Sequence, residues 1–137
     1  GNKCREGSDM KRVIKTDQAP AAIGPYSQAI VVGNLLFISG QIGIDPLTGE
    51  LVKGGVEEET KRVMENIRAI LNEASASFDN VVKTTIFLKD MNDFQRVNEI
   101  YSSYFPLNPP ARSTVGVSQL PRGASIEIEV IAWVGGN

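Results

Sequence analysis

The chain has 137 residues, 42% hydrophobic and 22% charged, a balance that supports one domain around a single core. Its formal net charge of −2, with lysines and arginines scattered, is a poor electrostatic footprint for nucleic acid, whose binding usually rests on a basic face. No apolar run approaches the roughly 18–20 residues of a membrane span, and no histidine and one cysteine, Cys4, leave no zinc cluster and no internal disulfide.

The polar N-terminus carries no signal-peptide pattern, and a lone cysteine suits a reducing compartment, so the expected location is the cytoplasm. Residues 1–9 differ in character from the rest of the chain. They read as an expression remnant or a short disordered leader, with Met10-Lys11-Arg12-Val13-Ile14 as a natural start. Residues 10–137 are expected to form a single domain.

A short strand is expected at 12–16, followed by an Ala/Pro/Gly-rich loop at 17–25. Strands at 27–32 and 35–39 flank Gly33-Asn34, a pair suited to a tight hairpin turn. Asp45-Pro46-Leu47-Thr48-Gly49 breaks the chain, and Leu51-Val52 is expected to pair briefly with 42–44. Residues 56–74 predict the clearest helix, because Val56, Val63, Ile67, Ile70, Leu71 and Ala74 form one apolar stripe. Glu57, Glu58 and Glu59 complement its N-terminal dipole and read as a helix start, with no metal expected. A strand is next, at 81–89, with Val82, Ile86 and Leu88 on one face and Val81, Lys83, Thr85 and Phe87 on the other. Asn92 with Gln95 suggests a capping box opening a second helix that runs to about Phe105, where Pro106 stops it. Two more strands close the chain, around residues 110–117 and 126–133.

The order is β-β-β-α-β-α-β-β, an α+β pattern. Two helices cover one face of a sheet of about six strands. The other face carries Lys83, Thr85, Phe87, Glu127, Glu129, Ile131 and Trp133, a polar and apolar mixture that suits a second subunit better than water.

Any chemistry must run on Arg, Glu, Tyr, hydroxyls, amides and backbone. Arg112 opens one strand, and its planar fork matches a carboxylate, although an edge arginine paired with a surface acid is the plainer alternative. Glu127 lies among β-branched neighbours, where partial burial raises a carboxyl pKa; a solvated sheet-face glutamate is its alternative, and Glu129, on the same face, its rival. Tyr26 follows Gly24-Pro25 in a constrained loop and can cover a ligand or serve only as an amphipathic rim residue. Ser39-Gly40 ends a strand, offering a hydroxyl, backbone N–H groups and close approach, or simply a turn. Asn98 sits mid-helix, a mildly unfavourable place that hints at a side-chain task.

Several of these residues fall in segments that resemble one family. Ala19-Pro20-Ala21-Ala22-Ile23-Gly24-Pro25-Tyr26-Ser27-Gln28, Ile38-Ser39-Gly40-Gln41, Val82-Lys83-Thr84-Thr85, the stretch from Phe94 to Asn98, and Pro110-Ala111-Arg112-Ser113 with Ile126-Glu127-Ile128-Glu129 resemble, in order, motifs of the Rid (YjgF-type) reactive-intermediate deaminases. The resemblance runs from about Met10 to Trp133. It implies a chorismate-mutase-like fold, a homotrimer with clefts between subunits, and hydrolysis of 2-imino acids (2-aminoacrylate/2-iminopropanoate, 2-iminobutanoate) to 2-keto acids and ammonia without a cofactor. It selects Glu127 over Glu129 as the water-orienting base, Arg112 as the carboxylate clamp and Tyr26 as a third catalytic group. Ser39, Gly40, Asn98 and Thr114 are then expected at the substrate. Thr114 stands where many members carry cysteine, which removes thiol chemistry there but keeps a hydroxyl and backbone groups. Two other readings stay open: a small-carboxylate sensing module without turnover, and the ribonuclease or translation-inhibitor role described for some members. The lack of histidine and the acidic charge weigh against the last.

Overall fold

A computed structural model describes residues 10–135; the expectation for residues 1–9 lies outside them. Six strands form one mixed sheet: β1 (Arg12–Ile14), β2 (Ala29–Val32), β3 (Leu35–Gln41), β4 (Val81–Leu88), β5 (Ala111–Gly116) and β6 (Ile126–Trp133). The helices are α1 (Val56–Glu73) and α2 (Phe94–Ser102). Spatial order is β1-β2-β3-β6-β4-β5, antiparallel throughout except for the parallel β4–β5 pair. The last two strands are therefore not neighbours, because β4 lies between them.

The core sits between the helices and one sheet face. Leu36 and Ile38 of β3, Ile86 and Leu88 of β4, and Ile126, Ile128 and Val130 of β6 meet Val63, Ile67, Ile70 and Leu71 of α1 and Val97 of α2. Each large aliphatic residue so buried contributes about 1.5–3 kcal/mol. Alternation along β6 is regular: its even-numbered residues are buried and its odd-numbered ones are not.

Polar residues within the buried stripe of α1 tie it to its neighbours. Asn66, fully buried, donates from Nδ2 to the carbonyls of Ile44 (2.9 Å) and Ile42 (3.3 Å) and accepts from Arg62 Nε (3.0 Å). Glu59 is buried, unlike the exposed Glu57 and Glu58, and its Oε1 accepts from the backbone N–H of Ser125 at 2.8 Å. These bonds satisfy groups whose burial would otherwise be costly, and they hold the loop after β3 and the start of β6 in place.

Two expected details are corrected. Val81 and Val82 exchange faces: Val81 is buried and Val82 exposed, because a bulge against β6 sets Val81 opposite Ala132 but Lys83 opposite Ile131. Asn92 is not the helix cap. Asp90 accepts from Asn92 N–H (2.9 Å) and opens a 3-10 turn over Met91–Asp93 from which α2 starts at Phe94. Beyond Ser102 the chain winds on through tight bonds, Ser103 N–H to Ile100 O and Phe105 N–H to Ser102 O, so the expected end near Phe105 is met by a narrower coil.

The uncovered face carries Val13, Val32, Leu35, Phe37, Val115 and Trp133, each 39–58% exposed, together with Lys83, Thr85, Glu127 and Glu129. So many large apolar groups on one sheet face exceed the isolated exposure common on monomers.

Candidate active site

Arg112 lies on β5 opposite Thr84, and Thr84 points into the helix-covered core with 1% exposure. Residues paired across a ladder share a face, so the Arg112 side chain runs towards α2. Its Nη1 donates to Asn98 Oδ1 at 2.7 Å. Its Cζ lies 5.0 Å from the Tyr101 ring centre and 5.4 Å from that of Phe94, within cation–π range. Phe94, Asn98 and Tyr101 recur at four- and three-residue steps, which puts all three on one side of α2. The Tyr101 hydroxyl is bonded to Thr84 Oγ1 at 2.7 Å, and burial raises its pKa against the lowering effect of that bond and of Arg112. The arginine is thus held on three sides; among the described residues its one hydrogen bond is to Asn98, and it lines a cavity of about 390 Å³ with Asn98, Tyr101, Ser102 and Pro110. Thr114, two residues along β5, shares this face, and its Oγ1 is buried without a partner among the described residues. Asn98 therefore contacts the arginine directly, which explains the asparagine in mid-helix.

Glu127 lies on the opposite face. It pairs with Phe87 on β4, while the neighbouring Ile128 points into the core. Burial, and then repulsion from Glu129, raise its pKa above the ordinary glutamate value. Between Ile38 and Gln41 the β3–β6 register slips by one residue, so that Ser39 and Gly40 bulge beside β6. Gly40 lies directly under the Glu127 carboxylate: a β-carbon there would stand 2.8 Å from Glu127 Cδ. Glycine is required for this close approach. Tyr26, Gly40, Glu127 and Glu129 line a cavity of about 740 Å³, with Ile23, Ile42 and Ile44 as an apolar wall.

The loop that carries Tyr26 is fixed by Gln28, a buried side chain whose role its sequence position did not reveal. Its Oε1 accepts from Thr16 N–H (2.7 Å), and its Nε2 donates to the carbonyls of Pro20 (2.7 Å) and Thr16 (3.0 Å). Ser39 borders the same cavity, but its Oγ donates to Ser27 O (2.6 Å) and its N–H to Gln28 O (3.0 Å). Contrary to expectation, both its donors are spent, and only hydroxyl lone pairs remain for a ligand. Sequence reasoning also missed Arg122, which lines the Glu127 cavity. Its placement between Pro121 and Gly123, in the turn feeding the Glu127 strand, was the available signal.

The structure thus brings Arg112, Asn98 and Thr114 together, and separately Tyr26, Ser39, Gly40 and Glu127. Within one chain the two groups occupy opposite faces of the sheet. Among the described residues no cluster of three or more acidic, histidine or cysteine side chains could hold a metal ion, and no helix is long and apolar enough to cross a membrane.

Comparison with known proteins matches residues 16–134 to the Endoribonuclease L-PSP family. A RutC family protein of Pyrococcus abyssi is 60% identical over 123 residues, covering 90% of this chain and 97% of that one. The human 2-iminobutanoate/2-iminopropanoate deaminase is 55% identical over 126 residues, 92% of each chain. Among solved structures, a conserved Rid family protein of Yersinia pestis superimposes with a TM-score of 0.90 at 53% identity, covering 91% of this chain and 100% of that one. With the α+β fold and the motifs in place along the whole domain, the chain belongs to the Endoribonuclease L-PSP family, the YjgF/Rid proteins.

Proposed function

We propose that this protein hydrolyses 2-imino acids to 2-keto acids and ammonia, in a cleft where the Arg112 face of one copy meets the Glu127 face of another. The observation that carries this reading is the half-buried Glu127 carboxylate, its pKa raised, seated against Gly40 on a cavity wall. Deaminase relatives at about 55% identity support it. The exposed apolar residues on the Glu127 face support assembly, and a homotrimer is the arrangement expected.

The reaction needs no covalent nucleophile, because the imine carbon is already electrophilic. Arg112 grips the substrate carboxylate through N–H groups left free by Asn98, which orients the imine. Glu127 takes a proton from a water as its oxygen bonds to the imine carbon, giving a carbinolamine. The proton passes to nitrogen, the C–N bond breaks with its electron pair leaving on ammonia, and the hydroxyl oxygen forms the new carbonyl as its proton returns to the Glu127 carboxylate. A carboxylate with a raised pKa suits both halves of this transfer. Tyr26, on the cavity rim, donates its hydroxyl towards the substrate.

The test is an assay in which an amino-acid oxidase generates the imine in situ. Arg112→Ala abolishes hydrolysis and keto-acid binding while the fold persists; turnover at the wild-type rate rejects the clamp. Light scattering gives about three times the 14.8 kDa chain mass, and a single-chain mass contradicts the shared cleft. The sensing alternative differs at Glu127: equal turnover with Glu127→Gln, with binding intact, would favour it.

A further inference from the structure

The cavity beside Glu127 contains a cation that imine hydrolysis does not use. Among the described residues, Arg122 is the one positively charged group on a wall that also carries Glu127 and Glu129. Its backbone has a φ of 60°, in the left-handed region that side-chain-bearing residues seldom adopt. A turn with no other duty is better served there by glycine or asparagine. From this turn the Arg122 side chain borders the cavity, and its Nη2 donates to the carbonyl of Gly49 at 3.3 Å. Among the described residues this long contact is its only hydrogen bond, and no carboxylate lies within 4.0 Å of it. Most of its five donors stay available.

We propose that Arg122 is a recognition subsite for a second carboxylate, so that the cavity takes 2-imino acids whose side chain ends in an acid group, together with the matching keto diacids. This rests on the imino-acid reading of the site. The carboxylate next to the imine goes to Arg112 of a neighbouring copy, and the distal carboxylate goes to Arg122. Glu127 and Glu129 repel a second negative charge, and Arg122 offsets them. Its planar fork matches a carboxylate with two parallel bonds, while Ile23, Ile42 and Ile44 accommodate the connecting methylenes.

The experiment titrates the intact assembly calorimetrically with 2-oxoglutarate and 2-oxopentanoate, which differ only in a terminal carboxylate against a methyl group. The wild type binds the diacid more tightly. Arg122→Asn tolerates the left-handed turn and removes the charge; it lowers the ratio of the two affinities about tenfold, the scale of a charge-assisted pair. Arg122→Lys restores part of that ratio. An unchanged ratio, an equal loss for both ligands, or a wild type without preference for the diacid overturns the subsite. Failure of the wild type to bind either keto acid overturns both the subsite and the imino-acid reading, so the two failures are distinguishable.

Discussion

Replacing Gly40 with alanine separates catalysis from stability. The added methyl would stand 2.8 Å from Glu127 Cδ and 3.1 Å from Cγ, well inside the contact distance of about 3.5–4.0 Å for carbon atoms. Gly40 does not have a positive φ, so alanine meets no backbone penalty and gains about 0.4–1 kcal/mol from a stiffer unfolded chain. The clash falls on the end of a rotatable side chain, which yields by leaving its rotamer at a cost of about 0.5–1.5 kcal/mol. These terms nearly cancel, so the melting temperature shifts by only a few degrees. The carboxylate must move by about 1 Å, and a misplacement of that size can cost on the order of 100-fold in rate, or about 2.7 kcal/mol of activation free energy. The coupled imine assay should show kcat/KM falling by about that factor, with keto-acid affinity held by Arg112. Unchanged kcat/KM would refute the reasoning, as would a stability loss above about 3 kcal/mol, the upper range for overpacking a core.

Gly43→Ala provides the contrast. Its methyl would lie 2.9 Å from Glu59 Cα and 3.0 Å from Glu59 O, both backbone atoms that cannot rotate away. Denaturation should therefore show a loss of about 1–3 kcal/mol, with kcat little changed in the folded fraction. The raised pKa of Glu127 makes kcat/KM climb with pH through a value above that of ordinary glutamate, and Glu129→Gln should shift that limb to lower pH by removing the repulsion. The same shift makes Glu127 favour the fold below its unfolded pKa, and that contribution is lost as pH rises through the folded pKa. Glu127→Gln should thus raise the melting temperature at neutral pH relative to pH 4 while slowing turnover by about 10²–10⁴. Tyr101→Phe keeps the ring beside Arg112 but loses the bond to Thr84, at about 1–2 kcal/mol of stability. Tyr101→Leu also removes the aromatic face, so calorimetry should show weaker keto-acid binding for Leu than for Phe. Thr114→Val removes a buried hydroxyl without a partner among the described residues, so the protein should gain up to about 1 kcal/mol, read as a higher melting temperature.

Local chemistry carried much of the fold in the amino-acid order alone. Gly33-Asn34 announces a hairpin, and β2 and β3 pair across it from Val32 and Leu35 outward. The three- and four-residue spacing from Val56 to Leu71 specifies α1, and Pro106 ends the coil beyond α2. The Rid-like motifs pointed to Arg112 and Glu127, and both belong to cavity-lining groups. What the order could not express is where each strand finds its partner. A single inserted residue reverses every later side chain, and the two bulges lie where β3 and β4 meet β6, a strand far away in sequence. They turn Val82 outward and set Gly40 beneath the Glu127 carboxylate. Register on β4, with Arg112 opposite Thr84 and Glu127 opposite Phe87, puts Arg112 and Glu127 on opposite faces. Asn66 and Glu59 look like ordinary surface polars on a helix, and only packing reveals that distant backbone groups need them. Periodicity within a segment is a local property of the chain; register, burial and the company a charge keeps are decided by contacts between segments.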